Sequence, residues 1–364
     1  MKKILAVVLF GTVTASAATA SVAGQLPADL GARLTSDYIA PATERFAEAA
    51  RQLTARLQGW CGQPDAAGAG AVERDFARLA ESWAGIEFLR FGPLVAANRY
   101  ERIFFWPDAR GVMLRQVQAL WQQPEVAANA QLLAGRSVAV QGLPALEYVL
   151  YREGGLLAQV GAKAPEKGFD VQCAYAQATA ANLAARGTEL ASAWRGDYGA
   201  LFSQPGPANP VYRSAREVAN EAVKAISTNL QFLRDVKLAP VLGAAQDPAA
   251  AATRARRAPF WRSGLTTRTL HAQLAGLHAF YQAGGWRYAS GQSWIDANLR
   301  QELTRAQTLL AALSAPIATL LAEADPYRQL QLTGLMLGNI KRIVDEDMAP
   351  AFGVTIGFNA LDGD

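Results

Sequence analysis

RFAEAARQLTARLQGW, residues 45–60, sets Phe46, Ala50, Leu53, Leu57 and Trp60 at spacings of three and four. That spacing puts all five on one face of an α-helix. The same period returns at Val218, Ala222, Ile226, Leu230 and Leu233. There the helix opens with Ser214-Ala215-Arg216-Glu217, a capping box in which each end can satisfy a free N–H. Ile295, Leu299, Leu303, Leu310, Leu313 and Ile317 make a third stripe, which Pro316 should kink or end. A fourth helix is expected from Asp325-Pro326, with an acid at the N-cap and Pro in the first turn, through Leu335 and Ile343 to a stop before Pro350. Alanine is abundant and β-branched runs are short, which favours helix over sheet. With 51% hydrophobic and 18% charged residues, the chain has the means to bury a large core. The fold class read from this is all-α.

Between the helices lie breaks rich in Gly, Pro and Ala. The clearest is Ser203 to Pro210, SQPGPANP. It divides the chain into two halves, 24–203 and 204–364, each long enough for a four-helix bundle. Ile103-Phe104-Phe105-Trp106-Pro107-Asp108 is too short and too Pro-marked for a helix and predicts a buried loop or short strand. The halves echo one another. Gly142-Leu143-Pro144-Ala145-Leu146-Glu147 and Gly357-Phe358-Asn359-Ala360-Leu361-Asp362 both read G-x-[P/N]-A-L-acid. Trp83 precedes Arg90 by seven residues, and Trp261 precedes Arg268 by the same interval. A pseudo-repeat is the expectation, with Glu147 and Asp362 approaching each other between the halves.

Residues 1–23 read as a secretory signal. Lys2 and Lys3 lead a short apolar core from Ile4 to Phe10, and small residues follow at Ala18-Thr19-Ala20 and Ser21-Val22-Ala23. The apolar run is well short of the roughly 20 residues a membrane span needs, so no membrane anchor is expected after cleavage. The expected location is the periplasm of a bacterial cell envelope. Removing the signal removes two lysines and leaves 33 basic against 31 acidic residues. That near-balance gives no case for a nucleic-acid partner. The two cysteines, Cys61 and Cys173, are read first as a disulfide in an oxidising compartment, with two buried thiols as the alternative.

The sequence lacks the usual catalytic signatures. It has two histidines and no H-E-x-x-H, no G-x-S-x-G, no P-loop, no dinucleotide fingerprint and no C-x-x-C-H. What remains are constellations. Trp83, Glu87 and Arg90 fall on one helical face, as a ligand site or as an ion pair packed under Trp. Arg99, Arg102, Asp108 and Arg110 surround the aromatic FFWPD segment, to tie it down or to line a cleft. Arg268, His271 and His278 share a stripe, with the two imidazoles roughly 10 Å apart along the axis, too far to chelate one metal unaided. Arg254, Arg256, Arg257, Arg262 and Arg268 cluster as a solvated face or an anion site.

Taken together, Trp83 through Arg90-Phe91-Gly92-Pro93, Phe105-Trp106-Pro107-Asp108, the Gly142–Glu147 segment and the C-terminal Gly357–Asp364 segment resemble the imelysin-like family over essentially the whole mature chain. The resemblance implies two helical bundles with a site between them, an exported protein and an association with iron uptake. Some members have been called metallopeptidases. The family signature is G-x-H-x-x-E. Gly142 and Glu147 match it, but Pro144 stands at the His position, and Pro can neither bind a metal nor carry a proton. The expectation is therefore a non-catalytic binding or accessory protein of an iron or metal acquisition system, acting with other periplasmic components of it. Glu147, Asp362, Asn359, Trp83, Arg90 and Arg268 are its candidate ligand-binding residues. Glu147 and Asp362 are the candidate metal ligands, for iron or another divalent ion. The rivals are an imelysin-type metallopeptidase with Glu147 as base or ligand, and a structural envelope protein.

Overall fold

The computed structural model describes residues 24–160 and 168–357. The signal segment, Asn359 and Asp362 lie outside the described residues. All regular secondary structure among the described residues is helical, apart from one isolated bridge between Gln25 and Arg287. Eight helices carry the architecture: α1 (Ala40–Gly62), α2 (Ala66–Ile86), α3 (Gly142–Tyr151), α4 (Phe169–Arg195), α5 (Ala215–Gln231), α6 (Thr266–Ala283), α7 (Ser293–Ala312) and α8 (Ala324–Arg342). In the first half α1 packs on α2 and α4, and α3 lies against α4. In the second half α7 packs on α6 and α8, and α8 on α5. The halves meet where α6 lies against α2, and one apolar core runs through both.

The apolar stripes explain this packing. Phe46, Ala50, Leu53, Leu57 and Trp60 are all buried on α1. Val218, Ala222, Ile226 and Leu230 are buried on α5, and the stripe continues through Leu233 beyond the helix end. Ser214 caps α5 by accepting from Glu217 N, while Glu217 reaches back to Arg213 N at 2.6 Å, one residue earlier than the reciprocal box would have it. Helix α7 ends at Ala312, and Leu313 and Ile317 stay buried on either side of the Pro316 break. Helix α8 begins at Ala324 with Glu323 as N-cap, so Asp325 sits inside the first turn instead of capping it.

One feature outruns the periodicity. Helical structure continues past three Ala-Pro pairs through wide π-type turns: Leu34–Ile39 before Ala40-Pro41, Phe232–Leu238 before Ala239-Pro240, and Ile343–Met348 before Ala349-Pro350. Pro lacks an N–H and its ring crowds the carbonyl four residues back, so a regular turn cannot pass through it. A wide turn accommodates the ring and keeps the helix going. That is why α8 is prolonged through residue 350 instead of stopping before it. Each wide turn also aims a polar group inward. Tyr38 donates to Gly85 O at 2.5 Å, Lys237 reaches Glu87, and Asp345 accepts from Ser227 Oγ at 2.6 Å.

The α2–α6 crossing depends on Gly276. A Cβ there would lie 2.5 Å from Gly85 O and 2.8 Å from Gly85 Cα. Backbone cannot swing aside as a side chain can, so Gly276→Ala should force the helices apart. Alanine gains about 1 kcal/mol in helix propensity, yet overpacking typically costs about 1–3 kcal/mol. A net destabilisation of about 1–2 kcal/mol is expected in urea unfolding, and a variant as stable as the natural protein would contradict it.

Cys61 at the end of α1 and Cys173 in α4 are joined by a disulfide, with 5.9 Å between their Cα atoms. No described helix is long and apolar enough to cross a membrane.

Candidate functional site

Helix α3 starts at Gly142 with φ +78°, and a Cβ there would meet Ile103 O at 2.4 Å. Only Gly suits both the left-handed backbone and the close approach. That entry fixes Pro144 in the first turn, where its missing N–H is harmless, and Glu147 one turn on. Both line a cavity of about 280 Å³. Its other walls come from the FFWPD segment and, across the interface, from the loop carrying Arg256, Phe260, Trp261 and Arg262. Both halves therefore build it. The FFWPD segment is non-helical, with a cis Trp106–Pro107 bond. The Asp108 carboxylate accepts from Val112 N and Met113 N, each at 2.8 Å, which anchors the segment to the next helix. Phe260 has φ +55° and stacks on Phe104 at 5.3 Å. A left-handed conformation costs a non-glycine residue about 1–3 kcal/mol, and such strain gathers at functional sites.

Glu147 is 3% exposed. Its Oε1 accepts from Ser263 N at 2.9 Å and Ser263 Oγ at 2.8 Å. Burial pushes its carboxyl above the ordinary range, although the Ser263 donors and the Arg262 charge pull the other way. The folded protein therefore holds the Glu147 proton more tightly than the unfolded chain does. Below the ordinary carboxylate range both states are protonated and the group adds nothing. As pH rises through the raised value, folding loses stability. Glu147→Gln keeps the Oε1 acceptor and cannot ionise. Its melting temperature should match the natural protein's near about pH 4 and exceed it increasingly towards neutrality. An offset constant with pH would contradict this account.

A chain of arginine and aromatic contacts leads into the cavity lining, which it enters at Arg262, Trp261 and Arg256. Arg152 lies 5.4 Å from the Trp121 ring, and Trp121 stacks on Tyr148 at 6.0 Å. Arg262 lies 5.4 Å from Tyr148 and 4.4 Å from Trp261, and Arg256 lies 5.8 Å from Trp261. The ladder starts in the first half and ends in the second. Sequence reasoning grouped the arginines but missed Trp121 and Tyr148, because the register brings them together only in three dimensions.

A second polar centre lies inside the inter-half interface. Lys237 Nζ sits 2.5 Å from Glu87 Oε2 and 2.6 Å from Gln273 Oε1, and Gln273 Nε2 donates to Asn229 Oδ1 at 2.5 Å. Tyr100 OH donates to Glu87 Oε1 at 3.0 Å, and Arg90 donates to Tyr100 OH. Glu87 and Lys237 side chains are each 1% exposed. Burial pushes the Lys237 amine down from its ordinary value, against the pull of Glu87.

The residues named from sequence thus fall in different places. Glu147 lines the cavity. Trp83 is fully buried among Phe46, Tyr100 and Phe104. Helix α2 ends at Ile86 with Glu87 as its C-cap, still helical and bonded through its N–H to Trp83 O, so Glu87 continues the Trp83 face while Arg90 lies beyond the helix and does not share it. Arg90 lies 3.6 Å from Glu87 and stacks over Phe232, so it answers Glu87 and not Glu147. Arg268 pairs with Glu81 at 2.6 Å and, with His271, lines a separate groove of about 580 Å³ between α1, α2, α6 and α7. Trp261 precedes α6 and shares no helical face with Arg268. His278 sits between Gln282 and Gln307, 3.0 Å from each. Arg254 is clasped by the carbonyls of Leu242, Ala245 and Asp247. Among the described residues, no three His, Cys, Asp or Glu side chains gather closely enough to hold a metal ion.

The all-helical fold is that of imelysin-like proteins. The imelysin family profile matches residues 39–337, and the chain belongs to that family. An imelysin-like protein from Psychrobacter arcticum 273-4 has a similar fold, with TM-score 0.74 at 22% identity, over 93% of this chain and 100% of that one. A protein from Parabacteroides distasonis ATCC 8503, provisionally described as an iron-regulated protein A precursor, gives TM-score 0.67 at 10% identity, over 89% of this chain and 97% of that one. No curated protein matches the chain in sequence.

Proposed function

We propose that this protein is an exported, periplasmic, non-catalytic ligand-binding or accessory component of an iron or metal acquisition system, and that its ligand occupies the cavity at Glu147. The observation that carries the reading is the cavity itself. Both halves build it, it holds a buried carboxylate, and Pro144 lines it at the position where the family signature has His. Family membership supports the location and the iron context, as does the likeness to a protein described as iron-regulated. In this proposal Asp362 and Asn359 join the site from the C-terminal segment. A directly bound iron or other divalent ion would draw on Glu147 and Asp362. Glu147 alone does not suit that task, since its Oε1 is already engaged by two donors from Ser263 and a metal site needs several ligands. Hydrolysis by the family signature would need a proton carrier where Pro144 stands.

The test has two arms. Protein purified from the periplasm, with and without added iron, is subjected to elemental analysis and to a survey of co-purifying small molecules. In parallel it is assayed on an unfolded protein substrate with zinc, manganese or iron, beside Glu147→Gln and Pro144→His. A ligand retained by the natural protein and lost on altering the cavity supports the proposal. Turnover by the natural protein that disappears in Glu147→Gln would replace it with the metallopeptidase reading.

A further inference from the structure

We propose that the cavity at Glu147 takes a one-ring aromatic carboxylate, with the carboxylate on Arg262 and the ring against Phe105 and Trp106. This rests on the reading of the cavity as the ligand site and goes beyond it by naming the ligand class.

The first argument is charge. Two carboxylates line the cavity, and both are engaged: Asp108 by two backbone N–H groups and Glu147 by Ser263. The two guanidinium groups are not engaged in the same way. Among the described residues neither Arg256 nor Arg262 has a carboxylate within 4.0 Å, whereas Arg90 and Arg268 are paired with Glu87 and Glu81. Glu147 and Arg262 act on each other through space, but the hydrogen-bonding capacity still open to a ligand is that of the guanidinium donors. Burial pushes the Arg262 guanidinium down from its ordinary value. An arriving anion offsets that desolvation, whereas an arriving cation adds to it.

The second argument is orientation. The Arg262 guanidinium carbon lies 5.4 Å from the Tyr148 ring centre and 4.4 Å from the Trp261 ring centre, so two aromatic rings hold it in place. A guanidinium carries its N–H groups in its own plane, and those of Arg262, which donate to no acid among the described residues, remain for a carboxylate to take through two parallel hydrogen bonds. The contacts of Tyr148 with Trp121, and of Trp121 with Arg152, brace the Tyr148 ring against which Arg262 rests before any ligand arrives, which lowers the ordering cost of binding.

The third argument is shape. Phe104, Phe105, Trp106, Phe260 and Trp261 all line the cavity, which suits a flat apolar body. At about 280 Å³ the cavity falls just below the range of about 300–1,000 Å³ for drug-sized ligands. One ring fits that space better than a fused or macrocyclic system.

Benzoate is the probe. The full mature chain is titrated with benzoate, with uncharged benzamide and with non-aromatic cyclohexanecarboxylate, by calorimetry and by tryptophan fluorescence, since Trp106 and Trp261 line the cavity. Benzoate should bind saturably with Kd below about 1 mM, and each analogue should bind at least about tenfold more weakly, since a charge-assisted contact or an aromatic contact is worth about 1.4 kcal/mol or more. Arg262→Met and Phe105→Ala should each weaken benzoate at least about tenfold. Arg262→Lys, which keeps the charge but not the fork, should fall between, and this milder change guards against a folding defect in Arg262→Met. Arg305→Met, on the exposed face of α7, should change nothing. Equal binding of benzoate and benzamide, or benzoate binding unaffected by Arg262→Met and Arg262→Lys, overturns the proposal. Absence of benzoate binding together with binding of ferrous or ferric ion that Glu147→Gln abolishes overturns the ligand class and leaves the cavity as the site. Absence of both, with a different ligand retained by cavity variants, removes the cavity reading as well.

Discussion

Replacing Lys237 with methionine should destabilise the protein by about 3–5 kcal/mol, the cost typical of removing one partner from a buried ion pair. Methionine matches the length of the lysine stem and leaves no large void, so the loss is electrostatic. Glu87 would keep the bond from Tyr100 and the Arg90 charge at 3.6 Å but lose its 2.5 Å partner while remaining out of water. Gln273 would lose the amine its carbonyl oxygen accepts from. Neutralising the orphaned acid should undo much of the harm. Lys237→Met with Glu87→Gln should therefore be clearly more stable than Lys237→Met alone, and a double-mutant cycle from urea unfolding measures the difference. Glu87 belongs to the first half, and Lys237 and Gln273 to the second. The single variant should thus also raise hydrogen exchange along the α2–α6 seam before it affects the outer helices. A loss below about 1 kcal/mol in Lys237→Met would show that water reaches the pair and that it does not tie the halves together.

The helices and their buried faces were legible because a 3.6-residue period is local information. So was the disulfide, as one of two readings of an even pair. Lys237 was nearly legible too. The stripe Val218, Ala222, Ile226, Leu230 and Leu233 advances by one more turn onto residue 237, which sets a charge on the core face. The same holds in α2, where Phe76, Leu79 and Trp83 lead onto Glu87. Two opposite charges, each at the end of a buried stripe, are a signal that could have paired them 150 residues apart. What hid it was the expectation that Glu87 would find its partner on its own helix at Arg90. The wide turns were marked by three Ala-Pro pairs, but Pro alone reads as a helix end, and only tertiary packing decides that the helix continues. At the candidate site, Glu147 and the aromatic segment were named from the sequence and line the cavity, whereas the contacts of Trp121 and Tyr148 with the arginines were not legible. An Arg–aromatic ladder has no sequence period, since its rungs come from separate elements.

Reducing the Cys61–Cys173 bond should cost about 4–5 kcal/mol, because it closes a loop of 112 residues and so removes many conformations from the unfolded chain. The folded state should change little, since both residues lie on helices that pack along their length whether or not the sulfurs are joined. That asymmetry makes the account testable apart from its size. If the effect resides in the unfolded chain, the reduced protein should unfold at lower urea concentration and with a steeper dependence on urea, because its unfolded state exposes more surface. The far-ultraviolet spectrum and the fluorescence of the buried tryptophans should stay the same under native conditions. The melting temperature should fall on the order of 10 °C. Cys61→Ala with Cys173→Ala should reproduce the reduced protein, apart from a small packing loss at Cys173, which is 4% exposed. The closed loop spans α2, the Glu87 centre and α3 with Glu147, so the bond encloses the first half's contribution to the cavity. Ligand affinity should nevertheless be unchanged well below the melting temperature, since the constraint acts on the unfolded ensemble and not on the cavity. Alkylation and mass spectrometry of freshly exported protein check the premise, and recovery of two free thiols would remove it. A reduced protein with an unchanged urea midpoint would show instead that helix packing alone already restricts the unfolded chain across this loop.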